Sequence, residues 1–85
     1  MDKYSGNDNS GKPKTDYLNR IATFTIEGLR KETKDKIWLS GYANNNPRSD
    51  YHWHVDACYD ELMKRTGDDR EYSACYKYVL NCIQQ

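Results

Sequence analysis

The side chains of this chain best suited to metal or thiol chemistry are two histidines and three cysteines. They are His52, His54, Cys58, Cys75 and Cys82. On a helix His52 and His54 point roughly 200° apart and cannot share one ion. His54 and Cys58 lie four residues apart, and a cysteine of a facing helix could add a third ligand. Because no CxxC or HxxxH pattern is present and no fourth ligand is identifiable, the pattern favours packing cysteines and surface histidines over a zinc site.

Catalytic arrangements are equally weak. A thiol nucleophile needs a nearby base, and His54 with Cys58 supplies two members, but both belong to one helix and the thiol faces the core. The stretch Gly6–Lys12 resembles a phosphate loop only superficially, since Pro13 stands where that motif requires Ser or Thr and no strand precedes it. We therefore expect no enzymatic activity and no cofactor.

A protein-contact surface is the stronger expectation. In the helix predicted after residue 49, Trp53 falls on the same face as Asp56, Asp60 and Lys64, which is the face predicted to be exposed. Interfaces concentrate aromatic side chains, and surrounding charges give specificity. Tyr78, at the margin of the last helix, is the fifth predicted contact residue. A competing interpretation is that Trp53 folds back onto the loop of residues 44–47 or packs against the middle segment.

Two C-terminal helices must position these residues. Ser49 or Asp50 is a suitable N-cap for a helix that runs to about Thr66, and Gly67 is a typical C-terminal stop. A second helix is predicted from Asp69 toward the C-terminus. The short connection makes the two helices antiparallel neighbours, and the cysteines are expected to line their shared interface.

The middle segment, Asp16–Ala43, has two interpretations. Acid–base pairs four residues apart, such as Glu27 with Lys31, favour one long helix or two short ones. Residues 21–26 are β-branched and aromatic, however, and could pair with residues 36–42 as a β-hairpin. The prediction is an all-α small helical bundle with a C-terminal antiparallel helix pair; the alternative is an α+β fold with an N-terminal β-hairpin packed on two helices.

Composition divides the chain into two parts. Residues 1–15 are dominated by Gly, Ser, Asn, Asp and Lys, and are predicted to form a disordered tail, with an arm that orders on binding through Tyr4 as the alternative. Residues 16–85 are predicted to form a single small helical domain. A core of this size is modest, so a partner that adds stability is a reasonable expectation.

Charge and hydropathy narrow the partner classes. Thirteen Lys and Arg balance thirteen Asp and Glu, whereas phosphate recognition usually requires a basic excess, so nucleic acid is an unlikely partner. No apolar run approaches a membrane span, so no membrane partner is expected. An odd number of cysteines favours reduced thiols and a cytoplasmic location.

The leading hypothesis is a non-enzymatic protein that binds and regulates a larger protein. Its profile is typical of small accessory proteins, including inhibitors encoded by phages and mobile elements. One alternative is a metal-stabilised structural domain, and a homodimer through Tyr78 and Leu80 is also open. Another is a helical nucleic-acid-binding module, which would use Arg20, Arg30, Lys31, Lys34 and Lys36 with Trp38.

Overall fold

A computed structural model of the chain describes residues 4–83, which form four α-helices. The helices are α1 (Lys14–Ala22), α2 (Ile26–Tyr42), α3 (Asp50–Thr66) and α4 (Arg70–Ile83). Residues 4–83 contain no β-strand; their one β-type feature is an isolated bridge between Asn7 and Pro13. The prediction of an all-α small helical bundle is confirmed.

The middle segment forms two helices, and the alternative β-hairpin does not form. α1 ends at Ala22, and α2 begins after Thr25, whose hydroxyl oxygen accepts a 3.0 Å hydrogen bond from the Gly28 N–H. The β-branched residues that resemble a strand therefore mark the break between helices. Threonine suits this position because its side chain satisfies a backbone N–H that has no partner within the helix.

The predicted boundaries of α3 are confirmed. The Ser49 hydroxyl accepts a hydrogen bond from the Tyr51 N–H at 3.3 Å and caps the start of the helix. At the other end, Gly67 has a φ of 83° and its N–H donates to the Met63 carbonyl. A left-handed residue stops the helix and turns the chain toward α4, which begins at Arg70.

Helix α2 lies at the centre of the bundle, because it packs on both α3 and α4 while α1 packs on α3. The larger core cluster contains Tyr4, Tyr17, Ile21, Leu29, Ala57, Cys58 and Leu62. The smaller cluster, formed between α2 and α4, contains Ile37, Cys75 and Val79. The expectation that the cysteines share one interface is wrong, since Cys58 and Cys75 belong to different clusters and Cys82 is exposed.

Two arginines connect helices that are distant in sequence. Arg30 of α2 makes a two-pronged ion pair with Glu71 of α4, with N···O distances of 2.6 and 2.7 Å. Arg65 of α3 donates to the carbonyls of Ile21, Ala22 and Phe24, at 3.1, 3.2 and 2.8 Å. These carbonyls lie at the C-terminal end of α1, where the helix dipole favours a positive charge.

Most of the segment predicted to be a disordered tail belongs to the described residues. Residues 4–13, which we name the N-terminal arm, form an irregular segment that packs on α3, and Tyr4 joins the larger core cluster. A single aromatic ring in an otherwise polar stretch carries this packing, which is why composition does not reveal it. The predicted tail before Tyr4 and the predicted domain after Ile83 lie outside the described residues.

Candidate functional site

Trp53, the centre of the predicted contact surface, is half-buried in the structure. Its ring packs edge-on against Tyr17, with centroids 5.5 Å apart, and its indole N–H donates to the Asp50 carboxylate at 2.9 Å. Tyr4 of the N-terminal arm covers it from another side, with centroids 6.3 Å apart. The indole is therefore an integral part of the α1–α3 packing rather than a free exposed ring.

The three charged members of the predicted surface differ in environment. Asp56 and Lys64 are exposed, whereas Asp60 is half-buried. Asp60 accepts a 2.5 Å hydrogen bond from the Tyr4 hydroxyl. The chain's own N-terminal arm therefore contacts the acidic face of α3 at Asp60.

Tyr78 lies apart from the other four predicted contact residues. It projects from α4 toward α2, where the Lys34 ammonium lies 4.2 Å from its ring centroid. It lines a depression whose other walls are α2 side chains, including Glu27, Lys31 and Asp35. Trp53 and Asp56 instead line a depression with the N-terminal arm and residues 47–50. The structure does not unite the five predicted residues in one surface.

Exposed apolar side chains gather where α2 and α4 end. Trp38 is 39% exposed, Tyr42 is 81% exposed and Ile83 is 52% exposed. With Gly41 they line a shallow cavity of about 330 Å³. We name Trp38, Tyr42, Tyr76, Leu80 and Ile83 the C-terminal patch. No contact residue was predicted at Tyr42, Tyr76 or Ile83, and Trp38 was considered only for nucleic-acid binding, although the recurrence of these residues at helical spacing is a signal in the sequence.

The α4 half of the C-terminal patch follows helical geometry. Tyr76, Leu80 and Ile83 recur at i, i+4 and i+7, which puts them on one side of the helix. Tyr76 also lines the depression on the opposite side of Gly41, together with Val55 of α3. The two depressions share Gly41 as a lining residue.

The electrostatics of this end of the bundle are set by two helix termini. Helices α2 and α4 run in the same direction. Arg30 and Glu71, near their N-terminal ends, form an ion pair, and Tyr42 and Ile83, at their C-terminal ends, line one cavity. Neither helix has a basic residue in its last turn. The negative ends of two helix dipoles therefore lie beside the C-terminal patch without a cationic side chain of those turns to balance them.

His54 and Cys58 form part of a buried polar cluster around Tyr17. The His54 ring stacks on Tyr17 with centroids 4.1 Å apart, and burial lowers its pKa to about 4. The Tyr17 hydroxyl lies 3.5 Å from the Cys58 sulfur and donates to Glu32 at 2.7 Å. Burial raises the pKa of the Cys58 thiol, which disfavours the thiolate that nucleophilic catalysis requires.

His52 has a structural contact that the sequence did not reveal. Its Nε2 faces the carbonyl oxygens of Ala43 and Asn46, at 3.2 and 2.9 Å, so this nitrogen carries the donated proton. In the neutral ring, Nδ1 then accepts from the Ser40 hydroxyl at 2.6 Å. His52 therefore holds the loop that follows α2. Within residues 4–83, no three His, Cys, Asp or Glu side chains are grouped so that they could hold a metal ion.

The basic residues considered for nucleic-acid binding are divided among several contacts. Arg30 pairs with Glu71, Lys36 pairs with Glu32 at 3.2 Å, and the Arg20 guanidinium lies over the Tyr17 ring. These positive charges therefore do not form one unpaired stripe. None of the helices among the described residues combines the length and the apolar character needed to cross a lipid bilayer.

Comparison of the chain with protein-family models, with curated proteins and with solved structures found no match.

Proposed function

We propose that this protein is a non-enzymatic binding protein that regulates a larger protein by docking through its C-terminal patch. The observation that carries the proposal is the group of exposed apolar side chains around Gly41. Tyr42 is its most exposed member, with Trp38 and Ile83 on either side of the same cavity. Exposed apolar patches with a polar rim commonly mark sites of protein–protein interaction.

The chemistry of the patch indicates the partner's chemistry. Two aromatic rings with centroids 6.0 Å apart, Trp38 and Tyr42, provide rigid apolar anchors of the type that dominates binding energy. The C-terminal ends of α2 and α4, whose last turns contain no basic residue, favour positive charge at the rim. The proposed partner surface is therefore an apolar segment flanked by Lys or Arg.

The proposed contact surface, the C-terminal patch, differs from the Trp53 face that the sequence predicts. Trp53 stays in the proposal only as a packing residue, because its ring contacts Tyr17 and Tyr4. The proposed location is the cytoplasm, where thiols stay reduced, since Cys58, Cys75 and Cys82 are all free. An inhibitor of the kind that phages and mobile elements encode is the corresponding biological role.

The test compares capture of proteins from a native lysate by tagged wild-type chain, Tyr42→Arg and Tyr78→Arg. Both tyrosines are exposed, at 81% and 56%, so neither substitution should disturb folding. Tyr42→Arg removes an aromatic anchor and introduces a positive charge that repels the Lys or Arg residues proposed for the partner surface. We expect one stoichiometric protein partner to be retained by Tyr78→Arg and its affinity for Tyr42→Arg to fall by about 30-fold, the equivalent of about 2 kcal/mol.

Three outcomes would contradict the proposal. Loss of the partner with Tyr78→Arg alone would assign binding to the α2–α4 depression that contains Lys34. Recovery of nuclease-sensitive material would favour the nucleic-acid alternative. Self-association of the purified chain that Tyr42→Arg abolishes, measured by light scattering, would make a second copy the occupant of the patch.

A further inference from the structure

The N-terminal arm is folded on itself before it reaches α1. The Asp8 carboxylate accepts hydrogen bonds from the N–H groups of Ser10 and Lys12, both at 2.9 Å. The Lys14 N–H donates to the Gly6 carbonyl at 3.1 Å, and Gly6 and Gly11 have positive φ angles. The arm therefore has a local shape of its own, but most of its side chains are exposed and contribute no core.

The arm contacts α3 at two anchor points. At the first, the Tyr4 ring is only 8% exposed, packs near Trp53 and donates its hydroxyl proton to Asp60. At the second, the Asn9 N–H donates to both Asp50 carboxylate oxygens, at 3.1 and 3.2 Å. The Asn9 side-chain amide also donates to the Arg48 carbonyl at 2.8 Å.

Both anchor points use one side of α3. Asp50, Trp53 and Asp60 lie three and seven residues apart in turn, so the helix presents them along one face. We name this face, from Asp50 to Asp60, the α3 groove. The groove has the Trp53 ring between the carboxylates of Asp50 and Asp60. In this structure it contacts a phenol ring, accepts a hydrogen bond from the phenol hydroxyl and accepts another from a backbone N–H. Any irregular segment that contains a tyrosine can supply these three groups.

The contacts of the arm are of a kind that can open without unfolding the bundle. Tyr4 is its only buried side chain among the described residues, and the contact of Asn9 with Asp50 is a hydrogen bond at an exposed site. Segments with few buried apolar contacts and exposed hydrogen bonds open locally at low free energy. The arm remains tethered, so it competes with free ligands at an effective concentration of about a millimolar.

We infer that the α3 groove is a binding surface for a non-helical, tyrosine-bearing peptide segment of a partner protein, and that the N-terminal arm occupies it in cis until such a segment displaces it. This surface is separate from the C-terminal patch, so the two proposals succeed or fail independently.

The test uses the full chain with Tyr4→Ala, which weakens the arm, and Trp38→Phe, which leaves Trp53 as the only tryptophan. The probe is a synthetic peptide of residues 1–13, and the matched control is the same peptide with alanine in place of its tyrosine. We expect saturable changes of the Trp53 fluorescence and indole NMR signal at millimolar peptide, with affinity at least about tenfold lower for the control. The chain that retains Tyr4 should bind the peptide more weakly, because its own arm competes.

Equal affinities for the two peptides, or no response at millimolar peptide, would overturn the inference. A measurement on the unmodified chain keeps it testable should Tyr4→Ala fail to fold. We expect the Asn9 amide to exchange its hydrogen far faster than the Cys58 and Leu62 amides of the core, by at least about a hundredfold. Exchange of Asn9 at the rate of the core amides would mean that the arm opens only with the whole bundle, which contradicts cis occupancy by a displaceable segment.

Discussion

Several side chains of this protein have roles set by what lies across the bundle rather than by their own helix. Arg65 resembles an ordinary basic residue in the last turn of α3, yet its guanidinium caps the C-terminal end of α1. His54 resembles a metal ligand or a base, yet it stacks on Tyr17 and its buried Nδ1 has no hydrogen-bond partner. Residue type therefore predicts which interactions a side chain can make, and the neighbouring residues from other helices decide which of these interactions form.

The environment of His54 predicts a pH-dependent stability. Burial lowers its pKa to about 4 from 6.5, so between these values the unfolded chain binds a proton that the folded chain does not. The free energy of unfolding should therefore fall as the pH falls from about 6.5 to about 4. His54→Phe keeps a ring against Tyr17 and removes this contribution. Chemical denaturation across the range should show a shallower decline for the variant, and NMR titration should detect the low pKa directly.

An ordinary His54 pKa, or parallel stability curves for the wild type and His54→Phe, would contradict this expectation.

At the scale of the helices, local sequence signals predict the boundaries well. Ser49 and Gly67 delimit α3 through a hydroxyl cap and a left-handed turn, and Thr25 starts α2 by the same capping chemistry. These signals work because they act within a few residues. The strand-like residues 21–26 left a β-hairpin open as an alternative because β-branched side chains also suit the end of one helix and the cap of the next. The Thr25 cap of α2 and the burial of Ile21 distinguish the two.

Two glycines test this account of the helices. Gly67 has a φ of 83°, where a Cβ is strained, so Gly67→Ala should lower the free energy of unfolding by about 1 kcal/mol. Gly41 lies within α2 and a Cβ there meets no atom within 4 Å, so Gly41→Ala should raise stability by up to about 1 kcal/mol. Urea denaturation of both variants measures the pair, and a change of the same sign in both would be inconsistent with it.

The whole molecule is two small cores joined by α2, with a polar arm closed over one face. The α1–α2–α3 core buries Cys58 completely, and the α2–α4 core buries Cys75, while Cys82 stays outside both. A bundle this small buries a limited share of its surface, and the aromatic residues of the C-terminal patch stay exposed at one of its ends. Trp53 of the α3 groove is instead half-buried beside Tyr4.

The distribution of the thiols predicts their reactivity with a thiol reagent such as Ellman's reagent. Cys82 should react at once in the native state, whereas Cys58 and Cys75, exposed by 0% and 2% with pKa values raised by burial, should react only when the cores open. Stopped-flow absorbance should therefore show one fast equivalent, and Cys82→Ser should remove it. Immediate reaction of two or three thiols would show that one of the cores is open in solution.

The sequence by itself determined the helical class, the limits of α3 and the separation of the middle segment from it, because caps, stops and apolar periodicity are local. Only the tertiary structure decided which surfaces are free. Helical periodicity predicts that Trp53 and Asp56 share a face of α3. It carries no information about Tyr4, which lies 56 residues before Asp60 in the sequence, bonds to it and helps to cover that face. Likewise Trp38 and Ile83 form one cavity only because α2 and α4 end together, a contact between distant residues that no local pattern encodes.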